Sequence, residues 1–266
     1  MSTTLDPSSP LRLSSVAFFN ATPLVYGLDR DPAVRLWYAV PSALLSGLQE
    51  NRADVALLPV IDFQRMNALR LIPVGGIACD GPTLTVRLFS KSPIDQTTRL
   101  AADTDSHTSV VLARILLDRL YRRRPEIVPL HHADDRPGET RLLIGDKVVC
   151  DEPRGFDHQL DLGLAWKTMT GLPFVFAVWM AKDGVPLGDL PQRLTRAREA
   201  GLRHVDELIR QFAVPRGWPE EVARQYLTSY LQFDIGPRHI EAIKLYHQLA
   251  WEIGTLDQPP KPLRFA

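Results

Sequence analysis

An asparagine amide stands at a junction between two predicted elements near the start of the chain. Asn20, in the segment FNATP, follows an apolar strand predicted at 11–18 and precedes a short helix. In open α/β folds, ligands bind beyond the carboxyl ends of strands, and a helix start adds unbonded N–H groups and the positive end of a dipole. Asn20 is therefore a candidate for contact with a small ligand, although the same side chain could simply close an Asx turn or cap the helix.

Four polar residues in a row open the long amphipathic helix predicted at 106–121. They are Ser106, His107, Thr108 and Ser109. Hydroxyl groups and backbone N–H groups at a helix N-terminus can hold a carboxylate or a phosphate without a basic residue. One Ser or Thr is enough for an N-cap, so two interpretations stay open, an ordinary cap and an anion-binding site.

Two turns carry the remaining candidates. Thr85 lies in the second of two strands predicted within 71–91, just after a turn at the sequence DGP. A strand predicted at 141–149 contains Gly145 and Asp146, a pair at which the chain can turn and its backbone can approach a ligand closely. Threonine is common in strands and a Gly-Asp pair is common in turns, so purely structural roles stay open for both sites.

The composition argues against several other classes of function. The 266 residues include 31 basic and 31 acidic side chains, and this balance does not suit a protein that binds nucleic acid or a membrane surface. Cys79 and Cys150 have no zinc spacing, His131-His132 lacks a third ligand, and no glycine-rich nucleotide motif is present, so we predict neither metal nor cofactor. Without a signal-like segment or a long apolar run, we expect a cytoplasmic protein that binds a small molecule. The sequence is silent on its oligomeric state.

The elements that would position these residues alternate between strands and helices. Strands predicted at 34–40 and 53–61 flank a helix at 41–52, which makes a βαβ unit. The run ADVALLPVI is apolar throughout, which is typical of a strand buried on both faces of a parallel sheet. Residues 187–250 have a mostly helical pattern. The sequence therefore predicts the α/β fold class.

Five segments, in the same order, resemble the chorismate dehydratase family of the futalosine route to menaquinone. FFNATPLVYGL resembles the motif S-Y-L-N-x-x-P-L, and NRADVALLPVIDFQR resembles G-x-x-D-V-A-L-x-x-x-x-E-Y. SHTSVVLARILL matches the helix start S-R-T-S-V-x-L-x-x-I-L, and LLIGDKVV matches L-I-G-D-x-A-L. DLGLAWKTMTGLPFVFAVW matches D-L-G-x-x-W-x-x-x-T-G-L-P-F-V-F-A-x-W. The resemblance runs from about residue 11 to residue 181.

The resemblance implies a periplasmic-binding-protein-like type II fold. In that fold, two α/β lobes are joined by a hinge and the ligand binds in the cleft between them. Lobe one would contain residues 1–91 and 181–266, and lobe two would contain residues 92–180. The chain would cross back between the lobes near 180–184.

The resemblance also implies an enzyme, a carbon–oxygen lyase that removes water from chorismate to give 3-[(1-carboxyvinyl)oxy]benzoate. Asn20 and Thr85 would be its catalytic residues. The substrate-binding residues would be Ser106, His107, Thr108, Ser109, Gly145 and Asp146. Two positions depart from the family pattern, which usually has Ser in place of Thr85 and Arg in place of His107.

No residue in the matching motifs is an obvious general base apart from His107, so a carboxylate of the substrate could itself take the proton. Three alternatives stay open. The sister enzyme 1,4-dihydroxy-6-naphthoate synthase has an opening motif rich in Asp, unlike FFNATPL. A non-catalytic organic-anion binding protein could share the fold. A LysR-type sensor lobe would need a DNA-binding segment ahead of residue 11, where we expect no room for one.

Overall fold

The chain folds around two β-sheets. The computed structural model describes residues 9–103, 106–134, 136–151 and 153–266, apart from the side chain of Ser42. The strands over these residues are β1 Leu11–Ser15, β2 Val34–Tyr38, β3 Val55–Pro59, β4 Leu69–Cys79, β5 Val86–Ser90, β6 Arg99–Ala102, β7 Glu126–Pro129, β8 Glu139–Ile144, β9 His158–Asp161, β10 Phe174–Lys182 and β11 Leu231–Gln232. The α-helices are α1 Thr22–Val25, α2 Pro41–Gln49, α3 Asp62–Arg65, α4 His107–Tyr121, α5 Asp146–Val149, α6 Leu162–Thr170, α7 Leu190–Arg203, α8 Val205–Leu208, α9 Glu220–Gln225 and α10 Pro237–Glu252.

The first sheet has the strand order β11-β4-β10-β3-β1-β2. Strands β2 and β3 both pair with β1 in parallel, and α2 connects them, so the predicted βαβ unit is confirmed. Strand β10 runs antiparallel to β3 and β4. Every residue of β3 is buried, as its continuous apolar sequence predicts for a strand that is covered on both faces.

The second sheet has the strand order β7-β6-β8-β5-β9. Strand β6 is parallel to β7 and β8, while β5 is antiparallel to β8 and β9. Helices α4 and α6 pack against each other and against this sheet. The apolar stripe of α4 is buried there, including Leu112, Ile115 and Leu116, so the amphipathic pattern of this helix is confirmed.

Helix α10 connects the cores of the two sheets. It packs against β10 of the first sheet and against α4, which covers the second. Val178 of β10, Leu116 of α4 and Tyr246 of α10 belong to one continuous cluster of buried side chains. The helical pattern predicted for 187–250 is confirmed by α7 to α10, together with π-helical stretches at Ile209–Ala213 and Tyr226–Tyr230.

The sheets divide the chain differently from the predicted lobes. Strand β4 belongs to the first sheet and β5 to the second, so the chain crosses between them at 80–85 rather than after residue 91. It returns at 171–173, because β10 already belongs to the first sheet, and not at 180–184. An alternating pattern identifies a strand, but the sheet that the strand joins depends on long-range pairing.

One predicted strand is shorter in the structure. The segment 141–149 contributes only its first part to β8, which ends at Ile144. Gly145 then has φ 67°, a left-handed conformation that favours glycine, and α5 begins at Asp146. The turn at the Gly-Asp pair is therefore confirmed, although it comes within the predicted strand. No helix in the described part of the chain has the length and apolar character needed to cross a bilayer.

Candidate functional site

A cavity of about 240 Å³ lies between the two sheets. Residues after β1, at the end of β3 and in β10 form its wall on the first sheet. Residues at the start of β5, the end of β8 and the start of α4 form its wall on the second. The cavity is smaller than the roughly 300–1,000 Å³ of most small-molecule sites, which suits a compact metabolite.

Most of the predicted site residues line this cavity. They are Asn20, Thr85, Ser106, Ser109, Gly145 and Asp146. The cavity therefore gathers four segments that are widely separated in the sequence. His107 and Thr108 do not belong to its lining.

Asn20 lies in a 3₁₀ turn, Phe19–Ala21, at the carboxyl end of β1. The hydroxyl of Thr22 donates to the Phe19 carbonyl at 2.8 Å, and α1 has no side-chain N-cap. The Oδ1 atom of Asn20 is buried and has no hydrogen-bond partner among the described residues. Because a buried amide oxygen without a partner is unfavourable, this geometry favours a ligand contact over the Asx-turn interpretation.

Asp161 shapes the turn that precedes Thr85. Its carboxylate accepts hydrogen bonds from the backbone N–H of Thr83, at 3.0 and 3.1 Å, and from that of Leu84, at 2.9 Å. These bonds hold Leu84 at φ 65°, which is uncommon for a residue other than glycine. Thr85 follows at once and is 1% exposed, so its hydroxyl meets the cavity from a fixed backbone.

A tyrosine that the sequence analysis did not single out joins Asn20 and Thr85. The hydroxyl oxygen of Tyr226 lies 2.8 Å from Thr85 Oγ1. Burial raises the pKa of Tyr226 well above its usual range, while hydrogen bonds from Thr85 and Asn20 oppose the rise. We call Asn20, Thr85 and Tyr226 the hydroxyl–amide group.

Nothing in the local sequence marks Tyr226, because a tyrosine within a helical pattern is equally typical of a core. Its ring packs against Phe19 and Trp218, with ring centroids 6.2 and 5.1 Å away. Tyr226 also opens a π-helical stretch, and such stretches are frequent at functional sites. The local backbone geometry, rather than the residue type, is the signal that could have found it.

The first turn of α4 brings a different kind of donor to the cavity. Ser106 is its N-cap: the Oγ atom accepts from the Ser109 N–H at 3.3 Å and donates to Ser109 Oγ at 2.7 Å. The backbone N–H groups of His107 and Thr108 have no acceptor among the described residues. The helix is 15 residues long, so its dipole adds positive potential at this end. We call residues 106–109 the helix start.

The His107 side chain lies outside the cavity lining and beside Asp62, so its contact with the substrate stays a prediction. Its Nδ1 atom lies 3.1 Å from Oδ1 of Asp62, and the same oxygen accepts a hydrogen bond from Arg65 at 3.0 Å. Successive helical residues point about 100° apart. Side chains three positions apart, such as the two cavity-lining serines, therefore share a face that His107 and Thr108 do not.

The Asp146 side chain binds the C-terminal helical segment. Its Oδ1 accepts a hydrogen bond from Trp218 Nε1 at 2.8 Å, and its Oδ2 lies 3.7 Å from Arg216 Nε. The neighbouring Gly145 N–H donates to the Thr85 carbonyl at 2.9 Å. The contacts of the Gly-Asp turn thus connect the end of β8 to Thr85 and to the C-terminal helical segment.

The lining of the cavity is mostly apolar and includes several neutral hydrogen-bond donors. Among the described residues it contains two carboxylates, Asp103 and Asp146, and both have partners, since Lys147 Nζ lies 2.5 Å from Asp103 Oδ2. No described histidine lines it. The described ranges of the chain contain no group of three or more His, Cys, Asp or Glu side chains placed to hold a metal ion. Hydroxyl, amide and backbone N–H donors suit the binding of an anion and the stabilisation of developing negative charge.

Comparison with known proteins identifies the family. The chain matches the family described as menaquinone biosynthesis over residues 11–252. It is 30% identical to the chorismate dehydratase of Thermus thermophilus, over 83% of this chain and 88% of that enzyme. It is 24% identical to the chorismate dehydratase of Campylobacter jejuni, over 87% of this chain and 93% of that enzyme.

Solved structures support the same fold. A protein from Archaeoglobus fulgidus superposes with a TM-score of 0.74 at 16% identity, covering 94% of this chain and 100% of its own. A Candida albicans protein, described as having the generic periplasmic binding protein fold, superposes with a TM-score of 0.56 at 12% identity, covering 97% of this chain and 98% of its own. At such identities the likeness concerns the fold alone. The chain therefore has the predicted periplasmic-binding-protein-like fold and belongs to the menaquinone biosynthesis family, together with its chorismate dehydratase relatives.

Proposed function

We propose that this protein is a chorismate dehydratase, a lyase that removes water from chorismate to give 3-[(1-carboxyvinyl)oxy]benzoate. One observation carries the proposal. The segments that resemble dehydratase motifs bring Asn20, Thr85 and the helix start to a single small cavity. The 30% identity with the Thermus enzyme supports the same substrate.

The reaction determines what the cavity must provide. The ring hydrogen of chorismate that is removed is allylic and vinylogous to the ring carboxylate. Its removal pushes negative charge into that carboxylate, and loss of the neighbouring hydroxyl then makes the ring aromatic. Because aromatisation supplies the driving force, the protein has to hold a dianion and stabilise the developing charge with preorganised donors.

The two sets of donors suit these two tasks. The helix start offers the Ser109 hydroxyl in the cavity lining and the positive end of the helix dipole, so it suits a carboxylate. The hydroxyl–amide group offers uncharged donors and the unpartnered Oδ1 of Asn20. It suits the second carboxylate or the departing hydroxyl.

The proton acceptor in this proposal is a carboxylate of the substrate itself. The Asp103 and Asp146 carboxylates in the cavity lining already have a lysine and a tryptophan as partners. His107, the one base candidate from the motifs, faces Asp62. A substrate carboxylate makes a protein base unnecessary, because the carboxylate and the hydrogen that it removes belong to the same molecule.

The proposal extends to the setting of the reaction. The product would enter menaquinone biosynthesis by the futalosine route, and the enzyme would work in the cytoplasm on a free small molecule. The family match to menaquinone biosynthesis supports the pathway assignment.

The test is to incubate the purified protein with chorismate and to follow the products by mass spectrometry, with an enzyme-free sample to measure spontaneous decay. We expect a product lighter by one water molecule, with an aromatic ultraviolet spectrum. Unchanged chorismate that nevertheless raises the melting temperature would identify an organic-anion binding protein instead. If the protein shows no turnover and no thermal shift with chorismate, its substrate is a different compound.

A further inference from the structure

The Tyr226 hydroxyl lies where the two predicted catalytic side chains meet. It is 2.8 Å from Thr85 Oγ1, and the Asn20 side chain is a further hydrogen-bond partner. Tyr226 is 2% exposed and belongs to the cavity lining. It comes from the C-terminal helical segment, so three distant parts of the chain converge on one hydrogen-bonded point.

The Tyr226 and Thr85 hydroxyl groups share one hydrogen bond, in which either oxygen can be the donor. Burial raises the pKa of Tyr226, while its interactions with Thr85 and Asn20 both lower it. The Oδ1 atom of Asn20 has no partner among the described residues. The Tyr226 oxygen is therefore the partner that holds the Thr85 hydroxyl, and the Asn20 oxygen is left for a ligand.

The bond with Tyr226 fixes the orientation of the Thr85 hydroxyl. The other partner near Thr85 Oγ1 is the Thr83 carbonyl oxygen at 3.5 Å, which is beyond the usual range for such a bond. The branched Cβ of threonine restricts χ1, and Thr85 lines the cavity. The bond with Tyr226 therefore holds the Thr85 hydroxyl in one orientation at the cavity wall.

We propose that Tyr226 is a positioning residue for the dehydration: its hydrogen bond with Thr85 holds the Thr85 hydroxyl in one orientation at the cavity, beside the group on the substrate that gains negative charge. This inference rests on the proposed dehydratase function. It assigns the C-terminal helices a part in the chemistry through one phenol oxygen.

A purely structural role for Tyr226 predicts a different behaviour. The ring packs against Phe19 and Trp218, and those contacts survive in a Tyr226→Phe variant. If packing were the whole role, this variant would keep its turnover. A lost positioning bond should instead lower kcat and leave KM nearly unchanged, because Thr85 still occupies its place in the cavity.

The experiment is a double-mutant cycle with Y226F, T85V and the double variant, assayed for kcat and KM with chorismate. We expect Y226F to lower kcat by about tenfold with KM within about twofold, the effect of one neutral hydrogen bond. In the T85V background, Y226F should lower kcat by less than about twofold, since no hydroxyl remains to be directed. Tyr26→Phe is the control, because Tyr26 donates to Glu207 at 3.0 Å and does not line the cavity.

Each outcome decides a separate question. A wild-type protein without turnover overturns the dehydratase proposal, whatever the variants do. Wild-type turnover with an unchanged Y226F, or with equal losses in both backgrounds, overturns the role of Tyr226.

If Y226F does not fold, a trifluorotyrosine at position 226 keeps the ring and its hydroxyl but ionises at lower pH. Its kcat should then fall with rising pH where the wild-type profile is flat, and matching profiles overturn the inference.

Discussion

The hydroxyl–amide group and the two serines of the helix start line the same small cavity, yet they are held in place differently. The first depends on side chains from three distant segments, which meet at the Tyr226 oxygen. The second depends on the backbone of one helix and its Ser106 cap. Side-chain donors reach the cavity only when tertiary packing is correct, whereas helix N–H groups are present wherever the helix forms.

This difference predicts a division of labour. Donors with a fixed direction stabilise charge that develops during the reaction, so their loss should appear mainly in kcat. A helix N-terminus attracts any carboxylate, bound substrate included, so its loss should appear mainly in KM.

Thr85→Val removes the hydroxyl and keeps the side-chain volume. We expect kcat for chorismate to fall by about 100-fold or more, with KM changed by less than about threefold, as for the loss of a preorganised donor. Thr97→Val is the matched control. Thr97 is also buried and bonds Thr140 at 2.7 Å, but it does not line the cavity. Steady-state kinetics would contradict the comparison if T85V changed KM alone.

Acid should weaken the fold before it affects either end of the cavity, because the described lining contains no histidine. Burial lowers the pKa of His247 from 6.5 to about 4. The unfolded chain therefore binds a proton at higher pH than the folded one. The contribution of His247 to the free energy of unfolding is fully present above pH 6.5. It falls, by on the order of 3 kcal/mol, as the pH drops to about 4. Denaturant titrations across this range test it, and a His247→Gln variant should show a smaller acid loss.

Asp161→Asn replaces an acceptor oxygen that holds the turn before Thr85. We expect the free energy of unfolding to fall by about 1–3 kcal/mol and kcat to fall by about tenfold, because the Thr83 and Leu84 N–H groups lose an ionised acceptor. Asp31→Asn is a control for the loss of an ionised acceptor elsewhere. Asp31 accepts from the Ala33 N–H at 3.0 Å and from Arg193 Nη1 at 2.7 Å, and it lies outside the cavity lining. Unchanged turnover in D161N would show that the turn does not position Thr85.

Ser106→Ala removes the N-cap of α4. We expect a loss of about 1 kcal/mol in the free energy of unfolding, and a several-fold rise in KM with kcat within about twofold. Ser46→Ala is a helical control, because its hydroxyl bonds the Ala43 carbonyl at 3.0 Å away from the cavity. A kcat loss in S106A as large as that in T85V would remove the distinction between the two ends.

His107→Ala should have the smallest effect. Its side chain bonds Asp62, which keeps Arg65 as a partner at 3.0 Å. We expect kcat within about twofold of wild type and a free energy of unfolding lower by less than about 1 kcal/mol. A loss of several orders of magnitude in kcat would instead make His107 the general base and would sink the proposal that a substrate carboxylate takes the proton.

The local elements and the family can be recognised from the residues alone. The helix predicted at 106–121 forms as α4, His107–Tyr121, with Ser106 as its cap. The apolar run at 53–61 forms the buried strand β3. These signals are readable because helical periodicity, capping and strand burial depend on residues that are close along the chain. The motifs around Asn20 and Thr85 also identified two residues that line the cavity.

Tertiary structure alone decided which residues meet. Thr85 and Tyr226 are 141 positions apart in the sequence, and His107 finds Asp62 at a separation of 45. Neither partner is visible in a local pattern. The exchange of β5 and β10 between the predicted lobes has the same origin, since every strand offers unpaired N–H and C=O groups to any suitable neighbour. Packing of the whole chain selects among those neighbours, and with them it selects the hydroxyl groups that line the cavity.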